Sequence, residues 1–397
     1  MTAPALRVGA VPRQTKFSYG LGLNSAAIAL RWLEEPESRD GIDLETVTLV
    51  VAMTGDEYDD TRRMTERHLL PRLREHNVRL VQLSRASQSG GYVVLDDSRS
   101  PRRMIMRGPW KLSDEFAAAG TLPQLSSHLC SIRSKAEPLD WWAADEYGDQ
   151  PVNHVVGYAA EERKRVAKDM ERASALRYPV YPLVSWGWDR ARCDAYVQAL
   201  TGERWLRSCC GGCCFGFNRA NLPDLIARWR AEPDVGAEVL FMEHTALALN
   251  ERMRLYGTTS AHQLVREHAL TGAQQRYRAR LETSRFAVYE VRRVLHAGKD
   301  GPHVKGPVWR SVKGLASGSR AAMTAELAER AAEAGGRVAF DEDGIARALV
   351  LARGQAYPTT EKLYALAPVG AVDKQLTAFD KHWARVSTVR AERGDDR

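Results

Sequence analysis

Apolar and polar residues follow two different periods in the first half of the chain. Short apolar runs at Val47–Met53, Val78–Leu83 and Val152–Gly157 have the length of buried strands, and residues 14–18 read as a further short strand. Between them, Ala26–Leu33 (stopped by Pro36), Thr61–Glu75 and Ile132–Tyr147 carry apolar residues at helical spacing. Strand, helix, strand, helix, strand predicts an α/β fold with a parallel, doubly wound sheet. Ser84–Arg107, rich in Ser, Gly and Arg, reads as a long loop or a lid. Tyr181–Leu183 leads to a helix at Asp189–Leu200, and Leu222 to about Ala297 is mostly helical and polar on one side. Gly298–Gly318 reads as a linker or basic loop. The remainder predicts an amphipathic helix at Ala321–Ala334, a small strand or two and a basic helical tail. The expected organisation is an α/β domain over residues 1–220, a helical extension over 221–298 and a C-terminal accessory region over 299–397.

At 397 residues the chain exceeds the roughly 250–300 at which a single core stops growing, and a hydrophobic fraction of 44% supplies a sizeable core. No apolar run approaches the ~18 residues of a membrane helix. The start of the chain, broken by Arg7, Arg13 and Lys16, reads as neither signal nor transit peptide. The expected location is the cytoplasm, with no membrane partner. Fifty-seven basic against 50 acidic residues give a net charge of +7. That balance favours anionic partners, a nucleotide first and nucleic acid second, or else marks an Arg-rich solvated surface. Six clustered cysteines argue against a secreted disulfide framework.

Three segments carry candidate chemistry. Ser18-Tyr19-Gly20-Leu21-Gly22-Leu23-Asn24-Ser25 joins a strand to a helix, where glycines let backbone N–H groups approach an anion and the helix N-terminus adds a favourable dipole. Asn24 or Ser25 is placed to cap that helix while offering a polar group to a phosphate. Thr54-Gly55-Asp56-Glu57 and Gly157–Arg165 follow strands at the carboxyl rim, where ligands of parallel sheets sit. Acidic groups such as Glu161 suit Mg²⁺, and Arg163 and Arg165 suit phosphate. Cys209-Cys210-Gly211-Gly212-Cys213-Cys214 contains overlapping Cys-x-x-Cys pairs, which fit an iron–sulfur cluster, zinc, redox-active thiols or plain packing. The Trp141–Trp142 and Trp186/Trp188 pairs read as core, and His128 as a capping or surface residue.

Five segments in order resemble the phosphoadenosine phosphosulfate reductase-like branch of the PP-loop ATP pyrophosphatase (adenine nucleotide alpha-hydrolase-like) superfamily. They are Phe17–Ser25, Met53–Glu57, the stretch holding Cys130, Lys135 and Pro138, Gly157–Arg165, and Tyr181–Tyr196 continuing to Ser208–Gly216. The resemblance covers about residues 14–217. It implies a nucleotide site at Ser18, Gly20, Gly22, Asn24, Ser25, Asp56, Glu161, Arg163 and Arg165, with Ser25, Arg163 and Arg165 as catalytic candidates. It also implies a four-thiolate metal site at Cys130, Cys193, Cys210 and Cys213, expected to hold a [4Fe–4S] cluster ahead of Zn²⁺. Against the superfamily's Ser-Gly-Gly-x-Asp-Ser loop, this chain has Gly20, Leu21 and Asn24 where the pattern has Ser, Gly and Asp.

The function this implies is an enzyme that binds ATP with Mg²⁺, adenylates a substrate oxygen with release of pyrophosphate, and permits sulfur or amine attack on the activated carbon or phosphorus, so that a small molecule or nucleic acid, DNA or tRNA, receives sulfur or another modification. The first alternative is reduction of adenylyl sulfate or its 3′-phosphorylated form. True reductases carry a C-terminal Glu-Cys-Gly-Leu-His nucleophile, and no cysteine follows Cys214 here. The second alternative is a non-catalytic nucleotide sensor in a phage or defence context.

Overall fold

The computed structural model describes residues 13–123, 129–218, 220–257 and 259–393; His128 lies outside them. The chain divides into two compact units, one of Met1–Leu112 with His128–Gly211, the other of Ser113–Ser127 with Gly212–Arg397.

The first unit is built on a six-stranded sheet of order β4-β3-β2-β1-β5-β6. Its strands are β1 (Thr15–Ser18), β2 (Val47–Met53), β3 (Arg79–Ser87), β4 (Gly90–Ser98), β5 (Val152–Val155) and β6 (Arg177–Val180). All neighbours are parallel except β3 and β4. Every residue of β2 is buried, as a central strand covered on both faces requires. Its alternate residues serve different cores. Leu49, Val51 and Met53 join the cluster around helix α1 (Leu23–Glu34), whereas Val50 packs with Trp142, Tyr147 and Val152 on the other face. Trp142 and Trp188 are buried and Trp186 packs partly buried against the α1 cluster, but Trp141 is exposed, so that ring is not core as the sequence suggested. The sheet is therefore doubly wound.

Two helices of this unit widen to π turns, at Thr65–Leu69 and Ile132–Ala136. Each is followed within two residues by a proline, Pro71 and Pro138, which has no N–H for the carbonyl four residues back. The chain instead bonds Leu70 N–H to Thr65 O and Glu137 N–H to Ile132 O, five residues back.

The segment expected to be a loop at Ser84–Arg107 is in large part sheet. β3 runs on to Ser87 and returns as β4 through a tight hairpin, Ser87 opposite Gly90. Its polar content reflects a half-exposed edge strand rather than irregular backbone.

The second unit holds a five-stranded antiparallel sheet, order β8-β7-β11-β10-β9, with β7 (Phe286–Gly298), β8 (Gly301–Gly318), β9 (Val338–Phe340), β10 (Ala346–Leu351) and β11 (Thr359–Pro368). Helix Arg320–Glu333 and the tail helix Phe379–Glu392 appear where the periodicity placed them. The supposed linker 298–318 is instead the long strand β8, paired to β7 across the two-residue turn Lys299-Asp300. The helical stretch ends at Thr283, and β7 follows. The carbonyl of Leu249, at the end of helix Pro233–Leu249, accepts from buried Arg293 on β7, and Arg347 on β10 donates to Leu247 O at 3.2 Å. Sheet arginines thus satisfy carbonyls that a helix end leaves open.

His244, on the same helix, is fully buried and bonds Tyr277 Oη through Nδ1 at 2.7 Å. Burial, reinforced by neighbouring His262 and Arg320, lowers its pKa to about 3. An unfolded histidine protonates near pH 6.5, so the unfolded state takes up a proton that the folded state refuses. Stability contributed by neutral His244 is complete above pH 6.5 and declines as the pH falls from there towards 3. Between pH 6.5 and 5.5, urea unfolding of the wild type should lose about 1 kcal/mol more than His244→Gln. Equal losses would show that His244 carries its charge in the folded protein.

Candidate functional site

From β1 the chain lays β2, β3 and β4 to one side, then returns to lay β5 and β6 on the other. The carboxyl ends of β1 and β5 therefore form a topological switch point, where connections diverge and a crevice opens in such sheets. The loop before α1 leaves β1, and the Gly157–Arg165 segment leaves β5. The two touch. A Cβ on Gly157 would stand 3.2 Å from Ser25 N and 3.4 Å from Ser25 Cα, so only glycine admits this approach without displacing the first turn of α1. Asn24 Nδ2 donates to Gly157 O at 3.1 Å.

Three consecutive carbonyls of the β1 loop are taken by donors of the protein. Gly20 O accepts from Ser208 Oγ at 2.6 Å, Leu21 O from Trp205 Nε1 at 3.1 Å, and Gly22 O from Ala26 N at 2.9 Å and Ser25 Oγ at 3.0 Å. In a trans peptide the next N–H points opposite to its carbonyl. The amides of Gly22 and Leu23 consequently face away from those donors, and neither has an acceptor among the described residues; Leu21, whose amide precedes them, is wholly buried. The two amides lie at the start of α1, whose N-cap residue Gly22 supplies no side-chain cap. Amides without a protein acceptor at a helix N-terminus are a general setting for anions.

The other expected residues divide by what holds them. Ser25 Oγ, buried, donates back to Gly22 O and so closes the first helical turn. Ser18, at the end of β1, meets His154 Nε2 at 2.7 Å. Asp56 lies in the turn after β2, where the Glu57 carboxylate accepts from the amides of Thr54 and Gly55 at 2.8 and 3.0 Å. Asp56 O accepts from Gly211 N at 2.9 Å, which anchors the turn to the 205–211 segment. Arg165 is paired with Glu162 and lies over the Tyr158 ring at 4.5 Å. Arg163, first residue of helix Arg163–Met170, is exposed and has no acidic partner among the described residues.

The metal centre is not formed. Among the described residues, no group of three or more His, Cys, Asp or Glu side chains is arranged to hold a metal ion, which overturns the iron–sulfur or zinc site expected at Cys130, Cys193, Cys210 and Cys213. Cys193 is 0% exposed within the hydrophobic core around α1, where burial pushes its thiol up to about 12. Cys210 is held by its backbone, in a bridge opposite Glu57. Cys213 precedes the 3₁₀ turn Cys214–Phe217, and Cys130 lies in the short turn Leu129–Ser131. The six cysteines form no disulfide. The carboxylates expected to hold Mg²⁺ do not gather either. Glu161 accepts from Arg190 N at 3.2 Å, and Glu162 from Ala159 N at 2.9 Å as well as from Arg165.

No family model, curated protein or solved structure matches the chain. What the structure shows is a mixed α/β architecture with a mostly parallel, doubly wound sheet, and a separate C-terminal β/α unit. Among the described residues, no helix is long and apolar enough to cross a membrane.

Four residues that shape the site were not singled out from sequence: Leu21, Trp205, Ser208 and His154. Leu21 adopts a left-handed backbone, φ +61°, with its side chain 0% exposed. That conformation costs an L-residue about 1–2 kcal/mol, while burying a leucine returns about 2–3 kcal/mol, so burial wins. Replacing Leu21 by Ala keeps the strain and loses the burial, whereas Gly loses the burial and removes the strain. In urea unfolding Leu21→Gly should therefore be more stable than Leu21→Ala by about 1 kcal/mol, with both below wild type. The opposite order of Gly and Ala would show that the loop does not hold this left-handed residue.

Proposed function

We propose that the first unit binds ATP at the switch point between β1 and β5 and catalyses adenylyl transfer. An acceptor oxygen attacks the α-phosphorus, the bond from that phosphorus to the bridging oxygen breaks, and pyrophosphate leaves. The observation that carries this reading is the pair of amides at the start of α1, Gly22 and Leu23, which have no acceptor among the described residues. Fixed peptide dipoles of that kind stabilise phosphate charge without reorganising as it shifts during reaction. Arg163 is the cation assigned to the departing pyrophosphate, because Arg165 is already neutralised by Glu162.

The order of the five resembling segments agrees with an adenine nucleotide alpha-hydrolase-like assignment. The loss of the cysteine centre removes the support it lent to sulfur transfer, so the proposal stops at the adenylyl step. Arg163, Lys164, Lys168 and Arg172 are exposed along the segment that follows β5 and favour an anionic acceptor such as a nucleic acid strand.

Calorimetric titration with ATP tests the reading. Wild type should bind, and Gly22→Val should bind at least about 10-fold more weakly, because a Cβ there would lie 3.0 Å from Ser208 Oγ and displace the bond that orients Gly20. Arg163→Ala should lose about 10-fold at low ionic strength and less in salt. A folded Gly22→Val with wild-type affinity, or a wild type that does not bind ATP, overturns the proposal. Pyrophosphate formed with DNA or tRNA present would report the transfer itself.

A further inference from the structure

A directed chain of polar side chains ends at Ser18. Tyr181 Oη donates to Asp169 Oδ2 at 2.7 Å, and Arg177 Nη2 donates to both Asp169 oxygens at 3.0 and 2.8 Å. Arg177 Nε in turn donates to His154 Nδ1 at 2.8 Å, and His154 Nε2 meets Ser18 Oγ at 2.7 Å. The polarity of every link follows from the chemistry of the groups. A guanidinium has no acceptor, so Nδ1 of His154 must be unprotonated. A neutral imidazole then carries its one proton on Nε2 and gives it to Ser18 Oγ. Ser18 accepts, and its own O–H has no acceptor among the described residues.

Protonating His154 would set Nδ1–H against Arg177 Nε–H. The charges that face the ring are Lys16, its cross-strand partner on β1, and Arg177, with Asp169 beyond Arg177. Burial and the two cations hold the His154 pKa well below its usual value. Serine is otherwise indifferent, donating or accepting as its surroundings ask. Here the direction is set from behind.

We propose that Ser18 is a committed hydrogen-bond donor to the phosphate of the bound nucleotide, and that His154 is the positioning residue that commits it. This rests on the nucleotide reading above. It adds a specificity: Ser18 favours an acceptor-only oxygen, as on an ionised phosphate, and gives nothing to a ligand group that can only donate. The same chain reaches Tyr181, which stacks on Tyr158 at 6.0 Å, so the network that orients Ser18 also braces the segment leading to Arg163.

Two measurements on the full-length protein decide it. Nitrogen NMR of ¹⁵N-histidine-labelled wild type should show His154 as the neutral, Nε2-protonated tautomer from pH 8 down to 5.5. An Nδ1-protonated ring, or an imidazolium in that range, overturns the proposal whatever the nucleotide result. ATP titration should show about a 10-fold loss for Ser18→Ala, with Ser18→Thr within about 3-fold of wild type because it keeps the hydroxyl. If wild type binds ATP, Gly22→Val does not, and Ser18→Ala binds as wild type, the nucleotide reading stands and this inference falls. If wild type does not bind ATP, the nucleotide reading falls and Ser18's ligand role with it, while the tautomer still judges His154.

Discussion

The peptide plane is rigid, and the first unit uses that rigidity at one place. Once Ser208, Trp205 and the first turn of α1 have taken the carbonyls of residues 20 to 22, the amides of Gly22 and Leu23 are left facing away from those donors. Much of the surrounding structure serves to keep those three carbonyls occupied. Trp205 is buried against the α1 core, and the 205–211 segment that carries it is pinned at its far end by Gly211 to Asp56 O and by Cys210 opposite Glu57. Glu57 in turn fixes the turn after β2 by accepting two of its amides. The cysteine-rich segment therefore acts on the loop through its backbone and its neighbours Trp205 and Ser208.

The second unit solves a different problem, the joining of an antiparallel sheet to helices that end against it. Arg293 and Glu361 sit directly opposite each other on β7 and β11, both buried, and Arg293 also holds the carbonyl of Leu249. A buried ion pair adds little by itself, but removing either partner leaves an uncompensated charge at a cost of about 3–5 kcal/mol. Such a pair fixes the register of two strands and the position of one helix end together. It carries no signal of nucleotide chemistry.

How much was legible in the sequence depended on where a residue lies relative to solvent. β2 was read to the residue because a strand covered on both faces has to be apolar throughout. β4 and β8 were read as loops because edge strands are free to be polar, and their Ser, Gly and Lys content imitates a linker. The hairpin signals were present, Gly90-Gly91 after β3 and Lys299-Asp300 between glycines, but outweighed by composition. At the site, the glycines marked the loop while its supports escaped notice. Nothing local to Leu21 announces a left-handed leucine, since the burial that enforces it comes from distant residues. The cysteines misled for a related reason. Cys-x-x-Cys spacing satisfies a ligand's chemistry without fixing where a third and fourth thiol fall, and the core claimed Cys193.

Those polar strands have a consequence for the molecule's behaviour in a crowded solution. Each sheet ends in strands whose outer amides and carbonyls could template another chain, and each edge is blunted in its own way. β9 is only three residues long, and β6 is four with Pro179 among them. β4 carries Asp96 and Asp97 side by side. β8, the longest, carries Pro302 and Pro307, which lack an N–H, adds Lys305 and Lys313, and at Val312 is already paired to Lys374. The composition that hid these strands from sequence reading is the same that blunts their edges.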